Sequence, residues 1–93
     1  MKTYHNGRNC VEVQTVWVAT DMKDYYLLEG CGAMAASDPD TLLRHIAEET
    51  GHIHVTNEKE ESDCIIAVFE EEINGRVDVQ EVILQKSDMV RKL

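Results

Sequence analysis

Gly30-Cys31-Gly32 is the first place where the sequence could carry chemistry. A phosphate-binding loop is excluded, because a P-loop needs a longer glycine loop ending in Lys and Ser or Thr, and the dinucleotide motif needs three spaced glycines. Cys31 could act as a nucleophile only beside a base, for which His45, His52 and His54 are the candidates. The interpretation that we favour is structural: the glycines allow a bulge, and Cys31 packs as a small apolar side chain.

His52 and His54 alternate on a short strand-like segment, so both imidazoles are expected on the same side. Two histidines can begin a metal site, but structural zinc needs four ligands, and no Cys-x-x-Cys or His-x-x-x-His spacing supplies the others. Cys64 or Glu58 could join them only if the fold brings them close. We therefore expect a solvent-facing histidine pair, no bound metal and no other cofactor.

Acidic side chains are concentrated in the second half of the chain. Residues 57–82 contain nine acids and two bases, a net charge of −7. Such a surface could mimic nucleic-acid phosphates and block the basic groove of a host protein, as small phage and mobile-element proteins do, with fast and salt-sensitive association. The alternative is a solvated surface that protects a sheet edge. The residues assigned to the mimic hypothesis are Glu58, Glu60, Glu61, Asp63, Glu70, Glu71 and Glu72.

Length and composition predict one soluble domain covering residues 1–93, of which 43% are apolar. Acids outnumber bases 18 to 9, which argues against direct binding to nucleic acid or to anionic membranes. The chain has no apolar run long enough to span a membrane, and residues 1–9 lack a signal-peptide core. Three widely spaced cysteines make a poor disulfide framework, so a cytoplasmic protein is expected.

One helix is predicted over residues 39–50. Residues 37–40 provide Ser37 as a cap candidate and a proline near the first helical position. Leu42, Leu43, Ile46 and Ala47 form an apolar stripe, and Gly51 lies where a helix-ending glycine belongs.

Two strands are predicted before the helix. The alternating, β-branched residues 10–20 predict the first, and residues 21–24 predict a hairpin loop. The second strand is expected over residues 25–36, with a kink near the glycines at 30–32.

Two further strands are predicted after the helix. Residues 64–69 are continuously apolar, which is typical of a strand covered on both faces. Asn74-Gly75 is a strong hairpin signal, and the last strand is expected over residues 76–85, with a bulge near Gln80-Glu81 where the apolar parity changes. The remaining segments are expected to be a short β-like piece at 52–55, an exposed loop at 56–63, and loose or partner-ordered tails at 1–9 and 86–93.

The predicted fold is α+β, in ββαββ order, with one helix packed on a four-stranded and mainly antiparallel sheet. A mixed sheet with the same order is the alternative. One helix can cover only one sheet face, whereas the predicted strands are apolar on both. The second face must be covered by another copy of the chain, by the tails or by a partner, and we expect a homodimer.

Three functional hypotheses follow. The first is a non-enzymatic interaction or regulatory protein that self-associates through a sheet face carrying Val16, Val18, Ile65 or Phe69. The second is the acidic inhibitor or mimic, which would bind a basic protein partner. The third is a small thiol- or metal-dependent enzyme using Cys31 and the histidines, which we favour least.

Overall fold

The computed structural model describes the backbone of residues 2–6 and 9–92 and the side chains of residues 14–88. Within this range the chain forms one helix and an antiparallel sheet, which confirms the α+β class. The elements in chain order are β1 (Lys2–Asn6), β2 (Asn9–Asp21), β3 (Met34–Ala36), α1 (Pro39–Thr50), β4 (Ile53–Glu60), β5 (Cys64–Ile73) and β6 (Arg76–Lys92). In the described part, no helix is both long and apolar enough to cross a membrane.

The sheet has the strand order β1-β2-β6-β5-β4, and β3 also pairs with β2. β6 runs along one side of β2, opposite residues 11–21. β1 and β3 therefore both lie on the other side of β2. β1 pairs with the first half of β2, and β3 pairs with residues 17–19. The sheet is thus five strands wide, so the predicted four-stranded sheet and the ββαββ order are wrong in detail.

The segment at 22–33 is a loop, although a strand was expected to begin at Tyr25 and to continue to residue 36. Three successive turns form it, with backbone bonds from Tyr25 to Met22, Glu29 to Tyr26 and Cys31 to Leu28. The carboxylate of Asp21 also accepts the Leu28 N–H at 3.0 Å. These turns place the side chains of Leu27 and Leu28 in the core without a strand, and only residues 34–36 join the sheet.

The segment at 56–63 was expected to be a loop, but most of it belongs to β4. This edge strand pairs with β5, and its register shifts between His54 and Thr56 and between Asn57 and Lys59. Most of its side chains are exposed, so the segment lacks the apolar alternation by which a strand is recognised. Its strand conformation comes from backbone pairing with β5, which the residue types of 56–63 do not indicate.

The expected tails are largely strands. Residues 2–6 form β1, and β6 continues through residues 86–92 opposite β2; residues 1, 7, 8 and 93 lie outside the described part. The resulting ribbon makes the molecule long, 61 × 25 × 21 Å with a radius of gyration of 16.0 Å. A compact domain of this length would have a radius of gyration of about 12 Å.

The β5–β6 register is continuous, so the bulge expected near Gln80-Glu81 does not exist. The apolar residues change parity because they lie on one sheet face in the first part of β6 and on the other face further along. Val82 and Leu84 lie in the helix-side core, whereas Val77 and Val79 are exposed on the opposite face. The hairpin turn itself is as predicted, with both Asn74 and Gly75 at positive φ.

The helix has the predicted bounds, but its N-cap is Asp38 rather than Ser37. The Asp38 carboxylate accepts the Thr41 N–H at 2.8 Å and the Thr41 hydroxyl at 2.8 Å. The backbone bond from Thr41 is the main cause that lowers the pKa of Asp38. At the other end Gly51 adopts φ 76°, and its N–H donates to the Ala47 carbonyl.

Replacing Gly51 with alanine is expected to lower the free energy of unfolding by about 1 kcal/mol. An L-residue in the left-handed conformation costs roughly 1–2 kcal/mol, and the nearest atom to an added Cβ is Glu71 Oε1 at 3.8 Å, so no clash adds to this. Urea denaturation measures the difference. An unchanged midpoint would show that the helix ends without the left-handed residue.

Candidate functional site

The sheet has one face under the helix and one face that no described segment covers. On the helix side Leu42 and Ile46 are fully buried against Phe69, Val82 and Leu84. The other face carries a cluster that we call the open face. Its members, all uncharged, are Val16, Val18, Thr20, Cys64, Ile66, Val68, Ile83 and Gln85.

The strand registers show that the open face is contiguous. Val18 is opposite Gln85, which is opposite Cys64, and the next row joins Thr20, Ile83 and Ile66. Val18 is 37% exposed, and Val16, Cys64, Ile66 and Ile83 are partly exposed. Val68 is only 9% exposed but is not part of the helix-side core. The patch therefore presents apolar side chains to solvent within the described residues.

The four apolar residues assigned to self-association are divided between the two faces. Val16 and Val18 lie on the open face, as required. Ile65 and Phe69 lie on the helix side and belong to the buried core, so their assignment to an interaction surface needs correction. The apolar run 64–69 predicted a strand with two covered faces, but it does not show whether its odd-numbered or its even-numbered residues face the helix. Their neighbours Ile66 and Val68, which the prediction omitted, occupy the open face.

The open face is bordered by three polar side chains, those of Tyr25, Glu58 and Glu81. A hydrogen bond between the carboxyl groups of Glu58 and Glu81 is the main cause that raises the pKa of Glu58 and lowers that of Glu81. The Tyr25 hydroxyl also bonds to Glu81, which raises the pKa of Tyr25.

The acidic residues of the mimic hypothesis fall into two groups. Glu58, Glu60, Glu61 and Asp63 lie at the end of β4 and in the turn before β5. Residues 70–72 lie near the other end of β5, roughly 24 Å from Asp63 at about 3.4 Å per residue. Among them Glu71 lies 3.3 Å from the His52 ring nitrogen Nδ1. The structure does not bring the seven carboxylates together.

His52 is buried, 8% exposed, and joins the helix end to β6. Its Nε2 lies 2.9 Å from Asp78 Oδ2, and its Nδ1 lies 3.3 Å from the Thr50 carbonyl oxygen. The side-chain amide of Gln80, 1% exposed, donates to Asp78 and accepts the Tyr26 N–H. The bond from His52, followed by that from Gln80, holds the pKa of Asp78 below its usual value.

The expectation of a solvent-facing histidine pair is wrong. His52 is buried in the network with Asp78, and His54 is half-buried. The His54 ring packs on Phe69 with a centroid distance of 5.4 Å and bonds to Asn57 Oδ1. The imidazoles are therefore used in packing and hydrogen bonding, and the described residues contain no group of three or more His, Cys, Asp or Glu placed to hold a metal.

Cys31 and Cys64 are both partly buried and unpaired in the described part. The Cys31 thiol lies 3.9 Å from the Leu27 carbonyl and packs against the core. No hydrogen bond in that part joins it to a histidine. This arrangement matches the structural interpretation of Cys31.

A cleft of about 760 Å³ lies where β6 leaves the hairpin turn. Tyr26 lines it from the 22–33 loop, and Asp78 joins it to the His52 network. The other lining residues are Ile73, Asn74, Arg76 and Val77. No local sequence pattern predicts this cleft, because Tyr26 is remote in sequence from the hairpin.

Comparison of the chain with protein-family models, curated proteins and solved structures finds no match.

Proposed function

We propose that this protein is a non-enzymatic interaction protein that self-associates as a homodimer through the open face. The observation that carries the proposal is the open face itself. It is a patch of uncharged, mainly apolar side chains on β2, β5 and β6, whose opposite face is covered by the helix. Contiguous exposed apolar patches on small proteins mark interaction sites more often than inert surface. The elongated shape supports the same conclusion, because a long ribbon buries little apolar surface within one chain.

The choice of a second copy as the partner rests on charge. The chain carries a formal charge of −9, so two copies repel each other over most of their surfaces. The residues of the open face are uncharged, and two acids on the same side of the sheet, Glu58 and Glu81, lie at its border beside Val68. A two-fold axis near Val18 and Ile83 would bring apolar side chains together and leave these acids at the rim of the contact. A basic partner would instead need the carboxylates, which lie at the two ends of β5.

Val18→Glu is expected to convert the dimer to a monomer. Val18 is 37% exposed, so the substitution is tolerated in a free chain, but in the dimer it would bury a charge within the contact. Light scattering after size exclusion at about 50 µM, which lies well above the Kd of a typical stable dimer, should show the wild type at twice the chain mass of 10.6 kDa and the variant at that mass.

Val55→Glu is the matched control, because Val55 is a 51%-exposed valine on β4 outside the open face. It should remain dimeric. A wild-type protein that is monomeric at this concentration would contradict the proposal, and so would equal effects of the two substitutions.

A further inference from the structure

Part of β6 has a free edge. β5 pairs with β6 from Arg76 onward, whereas the β2 pairing ends at Asp21 opposite Val82. One more bond follows, from the Met22 N–H to the Glu81 carbonyl, and the chain then turns away through Asp24 at φ 72°. Among the residues that the structure describes, 76–80 of β6 therefore have a neighbouring strand on one side only.

The hairpin register identifies which backbone groups lie on this edge. Ile73 and Arg76 flank a two-residue turn and form the first hydrogen-bonded pair, so even-numbered residues of β6 bond towards β5. Two bonds confirm this alternation: the Lys86 N–H points to the β5 side and bonds to Asp63, and the Glu81 carbonyl points to the β2 side. The N–H and C=O groups of Val77 and Val79 hence point outward, and no backbone bond within the described residues joins them to another segment.

The cleft lies beside the Val77 end of this edge. Its walls combine an exposed aromatic ring, Tyr26, with the apolar side chains of Ile73 and Val77. Arg76 supplies a guanidinium that makes no salt bridge with any described carboxylate. Asp78 also lines the cleft, but its carboxylate is bonded to His52 and Gln80. The surface thus offers main-chain hydrogen bonds, apolar contacts and one cation without a partner in the described part, which are the elements of recognition by strand addition.

We propose that this edge and cleft bind the carboxyl-terminal segment of an extended peptide. The peptide adds to β6 as an antiparallel strand beside Val77 and Val79, in the position that β2 would occupy if it continued past Asp21. Its terminal carboxylate then lies at Arg76, and an apolar side chain packs between Tyr26 and Ile73. The site is separate from the open face and does not depend on self-association.

A second copy of the chain is a poorer occupant of this edge. Its exposed edge strand β4 is interrupted by two register shifts and carries Glu58 and Glu60. Bulged and charged edges resist pairing with another strand. The cleft also lies between the Tyr26 loop and the hairpin turn, which leaves room for a short strand rather than a sheet.

The test uses the full chain labelled with ¹⁵N and a defined probe, an acetylated hexapeptide of alternating serine and valine ending in a leucine with a free carboxylate. Titration to about 5 mM covers the weak affinities of short peptides. We expect saturable shifts of the amides of Tyr26, Val77 and Val79 and slower hydrogen exchange at Val77. The same peptide with a carboxamide end should bind about fivefold more weakly, because it loses the charge-assisted bond to Arg76.

Val77→Pro removes one outward N–H at an edge position where proline is tolerated. It should weaken binding about fivefold or more, while Val77→Thr, which keeps the N–H, should stay within about twofold. Arg76→Gln should abolish the difference between acid and amide peptides. Lys86→Gln, the same charge change near the other end of the β6 pairing with β5, should leave that difference intact.

Several results would overturn the proposal. The first is an absence of saturable shifts. The second is equal binding of the peptide to the wild type and to Val77→Pro, provided that the rest of the variant's spectrum is unchanged. The third is equal binding of the acid and amide peptides to the wild type. Shifts at Val77 that follow protein concentration without peptide would instead assign the edge to a second copy.

Discussion

Phe69→Ala is expected to lower the free energy of unfolding by about 3–5 kcal/mol. The ring is fully buried within the cluster that includes Leu42 and Ile46, and His54 packs against it. A chain of this length is stable by roughly 5–14 kcal/mol. The variant therefore approaches the limit of folding, and urea denaturation should show a lower midpoint with an unchanged slope.

Phe69→Leu is the control for this prediction. It keeps most of the apolar volume and should cost less than about 1.5 kcal/mol. A loss below about 1 kcal/mol in Phe69→Ala would contradict the position of Phe69, because cavities in well-packed cores cost more than that. It would place Phe69 on a solvent-facing surface, as the sequence-based assignment to an interaction face required.

The elements that the sequence predicts correctly have local signals. The helix follows from a cap residue beside Pro39 and from Gly51, and the hairpin follows from Asn74-Gly75. In each case the residues that determine the backbone are neighbours in the chain. Such signals can be recognised without knowledge of the tertiary fold.

The elements that it predicts wrongly are determined by pairing and burial rather than by their own residue types. β4 is a strand because β5 offers its edge, and β1 is a strand because β2 does. Conversely, Tyr25–Leu28 has strand propensity but lies in a loop, where Asp21 accepts the Leu28 N–H and both leucines are buried. Pairing and burial outweigh local propensity in these segments.

The candidate site was likewise predicted only in part. Apolar residues on both faces of the strands correctly indicated that the helix could not cover the whole sheet. The identity of the open-face residues needed the register, because Ile65 and Ile66 are indistinguishable by composition and point to opposite faces. The His52 network had no local signal, since His52 and Asp78 are brought together only by the pairing of β4 with β5 and of β5 with β6.

His52→Leu is expected to lower the free energy of unfolding by about 2–3 kcal/mol near neutral pH. Leucine fills much of the volume but donates no hydrogen bond, so Asp78 loses a charge-assisted partner at 2.9 Å and Glu71 loses a contact at 3.3 Å. Hydrogen bonds to charged groups each contribute roughly 1.5–3 kcal/mol. His54→Leu is the matched control and should cost under about 1.5 kcal/mol, because His54 bonds to a neutral amide oxygen.

The cost of His52→Leu should also depend on pH. The pKa of Asp78 is lowered in the folded state, first by the bond from His52. A lowered pKa contributes stability that is fully present above the unfolded value of about 3.9 and is lost as the pH falls through the folded value. The difference between wild type and His52→Leu should therefore be largest above about pH 5 and should shrink towards about pH 2, where Asp78 is protonated in both proteins. Urea denaturation across this range measures it, and a difference that stays constant with pH would show that His52 acts through packing rather than through Asp78.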